Sequence, residues 1–390
     1  VNFDLSDEQR LLRDSLAGYL GRDYRFEDRY ASLKQNGWRP DLWKAWARDL
    51  GLFRATLPVE NGGFGGGPIE TMLIMEEFGK VLATEPYIEA VVLALALLRD
   101  GGPSASALAE SAMDGDAIVI PALYENGTRF NLTPAAATAE RIGETWRVTA
   151  EKIVVVGAPM ATHFLLSAQA GSRSAVEGRA SLFVIDARSP QLALHDYRLI
   201  DGRAAADLRV SGAEAVLLGE PGDAAERLEL AMDTATAALC AEAAGVMQVM
   251  LEQTVSYAQQ RQQFGQQIDR FQVLQHRMVD MFNQLEQCRS LAIMAALSLN
   301  LPMAERQYAV SAAMSFIADA TVSVAKSAVQ IHGGIGTTEE CAISHYFRRA
   351  TVIANQFGSA AYHRSRMARA GWPRTVPMGD CRQISIDSRA

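Results

Sequence analysis

The sequence predicts an α+β protein in which a helical segment, a small sheet and a second helical segment follow one another. Apolar residues recur at helical spacing to about residue 116, short β-favouring runs between turns replace them to about residue 219, and helical spacing then returns to about residue 372. With 390 residues and 49% hydrophobic content the chain is long enough for two or three units, and it contains no internal repeat. The expected units are residues 1–116, 117–219 and 220–372, with 373–390 as a polar, unpatterned tail.

Ser6 and Gln9 make a capping box that opens an amphipathic helix through Leu20. Further helical patterns fall at 40–50, 69–82, 87–99 and 104–114, punctuated by glycine and proline. After Gly115 the runs 117–120, 146–149, 153–156, 163–167 and 181–185 favour strands, and the last strand signal lies at Leu217-Leu218. Gly219-Glu220-Pro221-Gly222 then breaks the chain. From Asp223 to about Gly371 the pattern is helical throughout, with Leu228, Met232, Ala235, Leu239 and Val246 spaced as one buried stripe.

A net charge of −8 argues against nucleic acid or an anionic membrane surface as the main partner, because either needs a concentrated basic patch. The one basic cluster, Arg348-Arg349 with Arg364, Arg366 and Arg369, reads as a solvated helix face or an anion-contacting edge. Cys240, Cys288, Cys341 and Cys381 are far apart, which suggests neither a disulfide framework nor a zinc site. His332, His345 and His363 have no metal-ligand spacing and read as core, surface or cofactor-edge residues, so no metal is expected. The first 20 residues are unlike a secretory signal, and no apolar run approaches the ~20 residues that span a bilayer. A soluble, cytoplasmic protein is expected.

A different signal lies in Gln330-Ile331-His332-Gly333-Gly334-Ile335-Gly336, where three glycines after a helix-like run let a backbone approach something flat and charged. Alone it reads first as a glycine-rich helix end. It is accompanied upstream by Arg261-Gln262-Gln263-Phe264-Gly265 and Phe271-Gln272, and downstream by Arg348, Gly358 and Ser359. That ordered set resembles the C-terminal helical domain of the flavin-dependent acyl-CoA dehydrogenases. Phe3-Asp4-Leu5-Ser6-Asp7-Glu8-Gln9, the stretch Leu57-Pro58-Val59-Glu60-Asn61-Gly62-Gly63-Phe64-Gly65 and Glu76-Glu77-Phe78-Gly79 extend the likeness to the first unit. The resemblance implies that family's fold: an N-terminal helical domain, a middle β domain and a C-terminal four-helix bundle that builds the subunit contacts.

The resemblance also implies FAD. Arg261 offers a planar fork of donors for phosphate oxygens, Phe264 a ring face, and Gln272 and Gln330 amide groups. With Gln263, Gly333, Gly334, Gly336 and Ser359 they make the expected cofactor-binding set, which in the family reaches across an interface to a dinucleotide seated in a neighbouring subunit. The bland alternative is that Arg261 ends a helix and Phe264 is core. Elsewhere the chain departs from the family: Tyr124 stands where a threonine holds the flavin ring, and Val154 and Val156 occupy ring-contacting positions. Valine cannot stack on an isoalloxazine as tryptophan does.

Dehydrogenation needs a carboxylate to take the proton beside the thioester carbonyl. The family's usual base position is Phe357 here, its second location is Ala235, and the adjoining arginine position is Thr236, although Asp233 is kept. Glu242 is the nearest substitute, but it lies seven residues beyond Ala235, about 10 Å by helix rise, and reads more readily as a paired structural glutamate. The resemblance therefore points to the smaller, non-catalytic subunit of a heteromeric bacterial acyl-CoA dehydrogenase for bulky steroid-derived or dicarboxylic substrates. Its expected partners are a catalytic sister subunit in an α2β2 assembly, an acyl-CoA thioester and an electron-transfer flavoprotein. Three alternatives stand beside it: a self-sufficient homo-oligomer with a displaced base such as Glu242, a flavin monooxygenase on the same fold, and a ligand-free structural paralogue.

Overall fold

Ser6 starts the first helix: its Oγ accepts from Gln9 N at 3.2 Å while Gln9 Oε1 accepts from Ser6 N at 3.0 Å, so two helix-end donors are satisfied reciprocally. The computed structural model describes residues 4–35, 37–99, 101–170 and 179–371. The tail expected from Pro373, with Cys381, lies outside them. Helices α1 (Asp7–Asp23), α2 (Phe26–Leu33), α3 (Pro40–Arg48), α4 (Leu52–Ala55) and α5 (Pro68–Val81) come first. A π-helical turn over Ile88–Leu93 then runs into α6 (Ala94–Leu98), followed by α7 (Pro103–Met113).

The sheet consists of β1 (Val119–Ala122), β2 (Thr138–Ile142), β3 (Thr145–Val156), β4 (His163–Ala170), β5 (Ala180–Asp186), β6 (Leu192–Arg198) and β7 (Ala204–Leu218). Its path β1-β4-β2-β3-β7-β5 closes on itself through β4–β5 pairing, with β6 added on β7. The two expected runs 146–149 and 153–156 are one strand, bent by a register shift between Lys152 and Val155. Three strands carried little sequence signal. β2 and β6 are largely exposed, with no alternation of buried and exposed positions, and β7 opens on three alanines of low β-propensity.

The bundle comprises α8 (Ala224–Gln260), α9 (Gln272–Leu297), α10 (Met303–His332), α11 (Ala342–Ile353) and α12 (Ala360–Ala370). It is not helical throughout: Gln262–Gln263 and Gln266–Gln267 pair as a hairpin, β8 and β9, whose turn residues Phe264 and Gly265 have φ of 53° and 80°. Helices α5 and α8 cross backbone to backbone, since a Cβ at Gly79 would lie 2.2 Å from Glu242 O and one at Gly245 would lie 2.0 Å from Glu76 O. Only glycine permits that approach.

Two helical stretches, Ala224–Gln260 and Met303–Thr337, are long and apolar enough to cross a membrane by length and composition, where the sequence reading expected none. Scattered charges hide these runs in a strict apolar count. Their most apolar windows are 78% and 56% buried inside the bundle, which is where that surface is used.

Candidate active site and cofactor face

Candidate functional side chains gather in two places. One is a cavity of about 340 Å³ between sheet and bundle, bounded by Leu93 and Met232 from the helices, Val154 and Val156 from β3, Tyr124 from the loop after β1, and Phe357. Lys152 fixes that loop from below: fully buried, it donates to Glu125 Oε1 at 2.8 Å, and Glu125 Oε2 takes the N–H groups of Ala135 and Ala136. Tyr124 O accepts from Ile153 N at 2.9 Å, and Val154 N donates to Asp207 Oδ1 at 3.0 Å, so the bulge is pinned on both sides.

Backbone strain concentrates here. Of the five non-glycine residues with left-handed φ among those described, Arg129 (53°), Val154 (52°) and Phe357 (59°) all line this cavity. Each such conformation costs about 1–3 kcal/mol and persists only where surrounding structure enforces it, which is characteristic of functional sites.

The expected base positions carry no carboxylate. Phe357 is half-buried on the wall, Ala235 is fully buried on α8, and Thr236 Oγ1 donates to Met232 O at 2.7 Å. Asp233 is consumed by Arg306 Nε at 2.9 Å and Arg366 Nη1 at 2.5 Å. Glu242 does not line the cavity; it is buried against Arg349 and Arg203, with Arg203 Nη2 at 2.9 Å. Burial opposes its charge, but the two guanidiniums hold its carboxyl below the usual range, which makes a poor proton acceptor.

The carboxylate that does line the cavity is Glu89, in the π-helical turn. Its Oε1 accepts from Gln356 Nε2 at 3.0 Å, and its Oε2 has no partner among the described residues. Burial pushes its pKa up, against the pull of Arg203 and Arg349. Sequence reasoning missed it, although a lone glutamate inside the apolar stretch from Tyr87 to Leu98 was a signal of the same kind as Glu242 among alanines.

The second place is the exposed end of the bundle. Arg261 caps α8, Gln263 and Phe264 lie on the hairpin, and Gln272 begins α9. All four side chains are exposed, Phe264 by 92%, so Phe264 is not core. Tyr257 ties this end to the glycine loop: its ring stacks on His332 at 4.4 Å and its hydroxyl donates to His332 O at 3.3 Å. A Cβ built at Gly334 meets nothing within 4 Å, whereas one at Gly336 would lie 2.9 Å from His332 Cβ. Internal packing therefore explains Gly336 and leaves Gly334 open to something from outside the chain. Gln330 and Ser359 line a separate open cleft of about 1020 Å³, and Ser359 Oγ also caps α12 by accepting from Tyr362 N at 3.3 Å.

These residues fit the two ends of FAD unequally. An exposed guanidinium, an exposed phenyl ring and an uncovered glycine backbone suit a dinucleotide presented by a neighbouring molecule. The cavity offers a flavin ring no stacking aromatic from β3, only Val154 and Val156. His332 and His345 are held by ring and backbone contacts, and no three His, Cys, Asp or Glu side chains converge as metal ligands among the described residues.

Comparison with known proteins agrees with this architecture. Residues 6–105 match the acyl-CoA dehydrogenase N-terminal domain and residues 227–371 the acyl-CoA dehydrogenase C-terminal domain. The acyl-CoA dehydrogenase IpdE2 of Mycolicibacterium smegmatis is 27% identical over 91% of this chain and 96% of its own length. A variant of the Tcur3481-Tcur3483 steroid ACAD superposes with a TM-score of 0.82 at 27% identity, covering 93% of this chain and 97% of that one. The ChsE4-ChsE5 complex from Mycobacterium tuberculosis gives 0.84 at 25% identity, covering 96% and 100%. The chain belongs to the acyl-CoA dehydrogenase family, FAD-dependent oxidoreductases that act on the CH–CH bond of acyl-CoA thioesters.

Proposed function

We propose that this chain is the non-catalytic subunit of a heteromeric acyl-CoA dehydrogenase, most simply α2β2, and that its exposed bundle end completes an FAD site in a sister subunit. One contrast carries this reading. The surface that would serve a neighbour's dinucleotide retains Arg261, Phe264 and an uncovered Gly334, while the chain's own cavity has Phe357 and two valines where base and ring contacts belong. In a symmetric homo-oligomer every site would inherit both defects, whereas a heteromer makes half of its sites complete. The likeness to proteins described as ChsE4-ChsE5 and Tcur3481-Tcur3483 supports a paired assembly.

In this reading the sister subunit holds the base, the flavin ring and the thioester. Electrons leave to an electron-transfer flavoprotein. Purification of the chain alone and co-expressed with its sister tests the proposal: bound flavin only on co-expression supports it, and stoichiometric flavin in the lone chain contradicts it.

A further inference from the structure

A histidine stands at each end of the glycine loop on the exposed bundle end. Upstream, His332 is stacked on Tyr257 of α8. Downstream, the chain leaves the 3-10 turn Gly333–Thr337 and reaches α11 at Glu339, whose carbonyl oxygen lies 2.9 Å from His345 Nε2. The Glu339 carboxylate is tied to the same helix by Arg348 Nη2 at 2.9 Å. Thr338 N donates to Ile335 O at 3.1 Å and Thr337 Oγ1 to Gly334 O at 2.8 Å, so short hydrogen-bonded steps connect the anchor at Glu339 to the uncovered Gly334.

His345 is itself set by the first helical domain. It is buried, and its ring meets Phe26 and Tyr30 of α2 edge-on, with centroids 4.9 and 5.5 Å away. Arg29, on the same helix, brings Nη1 to 3.3 Å from His345 Nδ1. A guanidinium can only donate and a carbonyl can only accept, so Nδ1 carries the lone pair and Nε2 the proton. Burial, helped by the charges of Arg29 and Arg348, keeps the ring neutral against the pull of Glu339. Arg29 is fixed in turn: it is buried, its Nε donates to Leu82 O at 2.7 Å and its Nη2 to Asp201 O at 3.3 Å. We propose that His345 is a positioning residue for the cofactor face, setting the glycine loop against α2 through its Nε2–H bond to Glu339. The inference rests on the reading of the bundle end as a cofactor face, and it makes the N-terminal domain part of what shapes that face.

Three variants separate the two ring nitrogens. A glutamine amide can donate from the place of Nε2, an asparagine amide oxygen can accept only at the place of Nδ1, and leucine does neither. Hydrogen exchange of the full chain alone should show the amides of residues 334–341 opening about tenfold faster in His345→Asn and His345→Leu, the scale of one buried hydrogen bond, and within about threefold of the parent in His345→Gln. Unchanged exchange in α8 reports that the variants are folded. Flavin titration of the co-expressed complex should follow the same split, with FAD held about tenfold more weakly by the asparagine and leucine variants and near parent strength by the glutamine variant. Loop exchange that is the same in all four proteins, a glutamine variant as impaired as the leucine one, or faster exchange spread equally over α8 would overturn the proposal. Arg261→Ala in the same titration separates this inference from the reading beneath it. If Arg261→Ala weakens FAD and the asparagine and leucine variants do not, the role of His345 fails alone; if none of the three weakens it, the cofactor face fails as well.

Discussion

Arg349 holds Glu242 in a two-pronged grip, with Nε 2.6 Å from Oε1 and Nη2 2.7 Å from Oε2, while its Nη1 reaches Asp201 Oδ2 at 3.0 Å. Since Arg203 also donates to Glu242, the pair joins α8, α11 and the β6–β7 connection at one buried point.

Glu242→Gln should therefore act on stability. It leaves two buried guanidiniums short of a counter-charge, and breaking a buried pair typically costs about 3–5 kcal/mol. Urea unfolding of parent and variant measures this; a change below about 0.5 kcal/mol, the scale of a neutral surface substitution, would contradict the account. The pH sign follows from the depressed carboxyl: the contribution is full above the ordinary value of 4.5 and is lost as pH falls through the lower folded value.

His363 adds a second acid sensitivity. Burial, with help from Arg366, takes its pKa from 6.5 down to about 4, and its Nε2 has no partner among the described residues. A base kept neutral by the fold binds its proton more readily when unfolded, so its contribution is full above pH 6.5 and drains away as pH falls toward 4. Full loss corresponds to about 3 kcal/mol by linkage. Thermal unfolding between pH 7.5 and 5 should show a shallower loss for His363→Gln than for the parent; parallel profiles would refute the assignment.

Arg261→Ala should weaken FAD retention in the assembled complex by about 1.5–3 kcal/mol, the worth of a hydrogen bond to a charged group. Flavin occupancy after dialysis reads this out, and unchanged occupancy would remove Arg261 from the cofactor face.

Glu89→Gln should leave the reductive half-reaction of the complex with acyl-CoA within a few-fold of the parent, because the reacting carboxylate is assigned to the sister subunit. Loss of a true general base would slow the reaction by on the order of 10²–10⁴. Stopped-flow reduction of the bound flavin separates the two results, and a drop of that size would make Glu89 the base.

Much of the architecture was legible because long helices advertise themselves by period. The capping box at Ser6 and the stripe from Leu228 to Val246 both correspond to helix in the structure. The hairpin at Gln262–Gln267 was not legible, since glutamine is a good helix former and only the Phe264-Gly265 turn interrupts the run. The family resemblance singled out Arg261 and Gly334 as candidates, while only the fold reveals that Gly334 is uncovered and Gly336 packed. Glu89 and Gln356 are 267 residues apart in sequence, so no local pattern could place them in one cavity.

The central claim is that this chain completes another subunit's flavin site and lacks a working one of its own. Native mass spectrometry of the co-expressed complex, combined with flavin absorbance, tests it most directly. The account predicts an α2β2 assembly with one FAD per αβ pair; a homotetramer of this chain with one FAD per subunit and full dehydrogenase activity would contradict it.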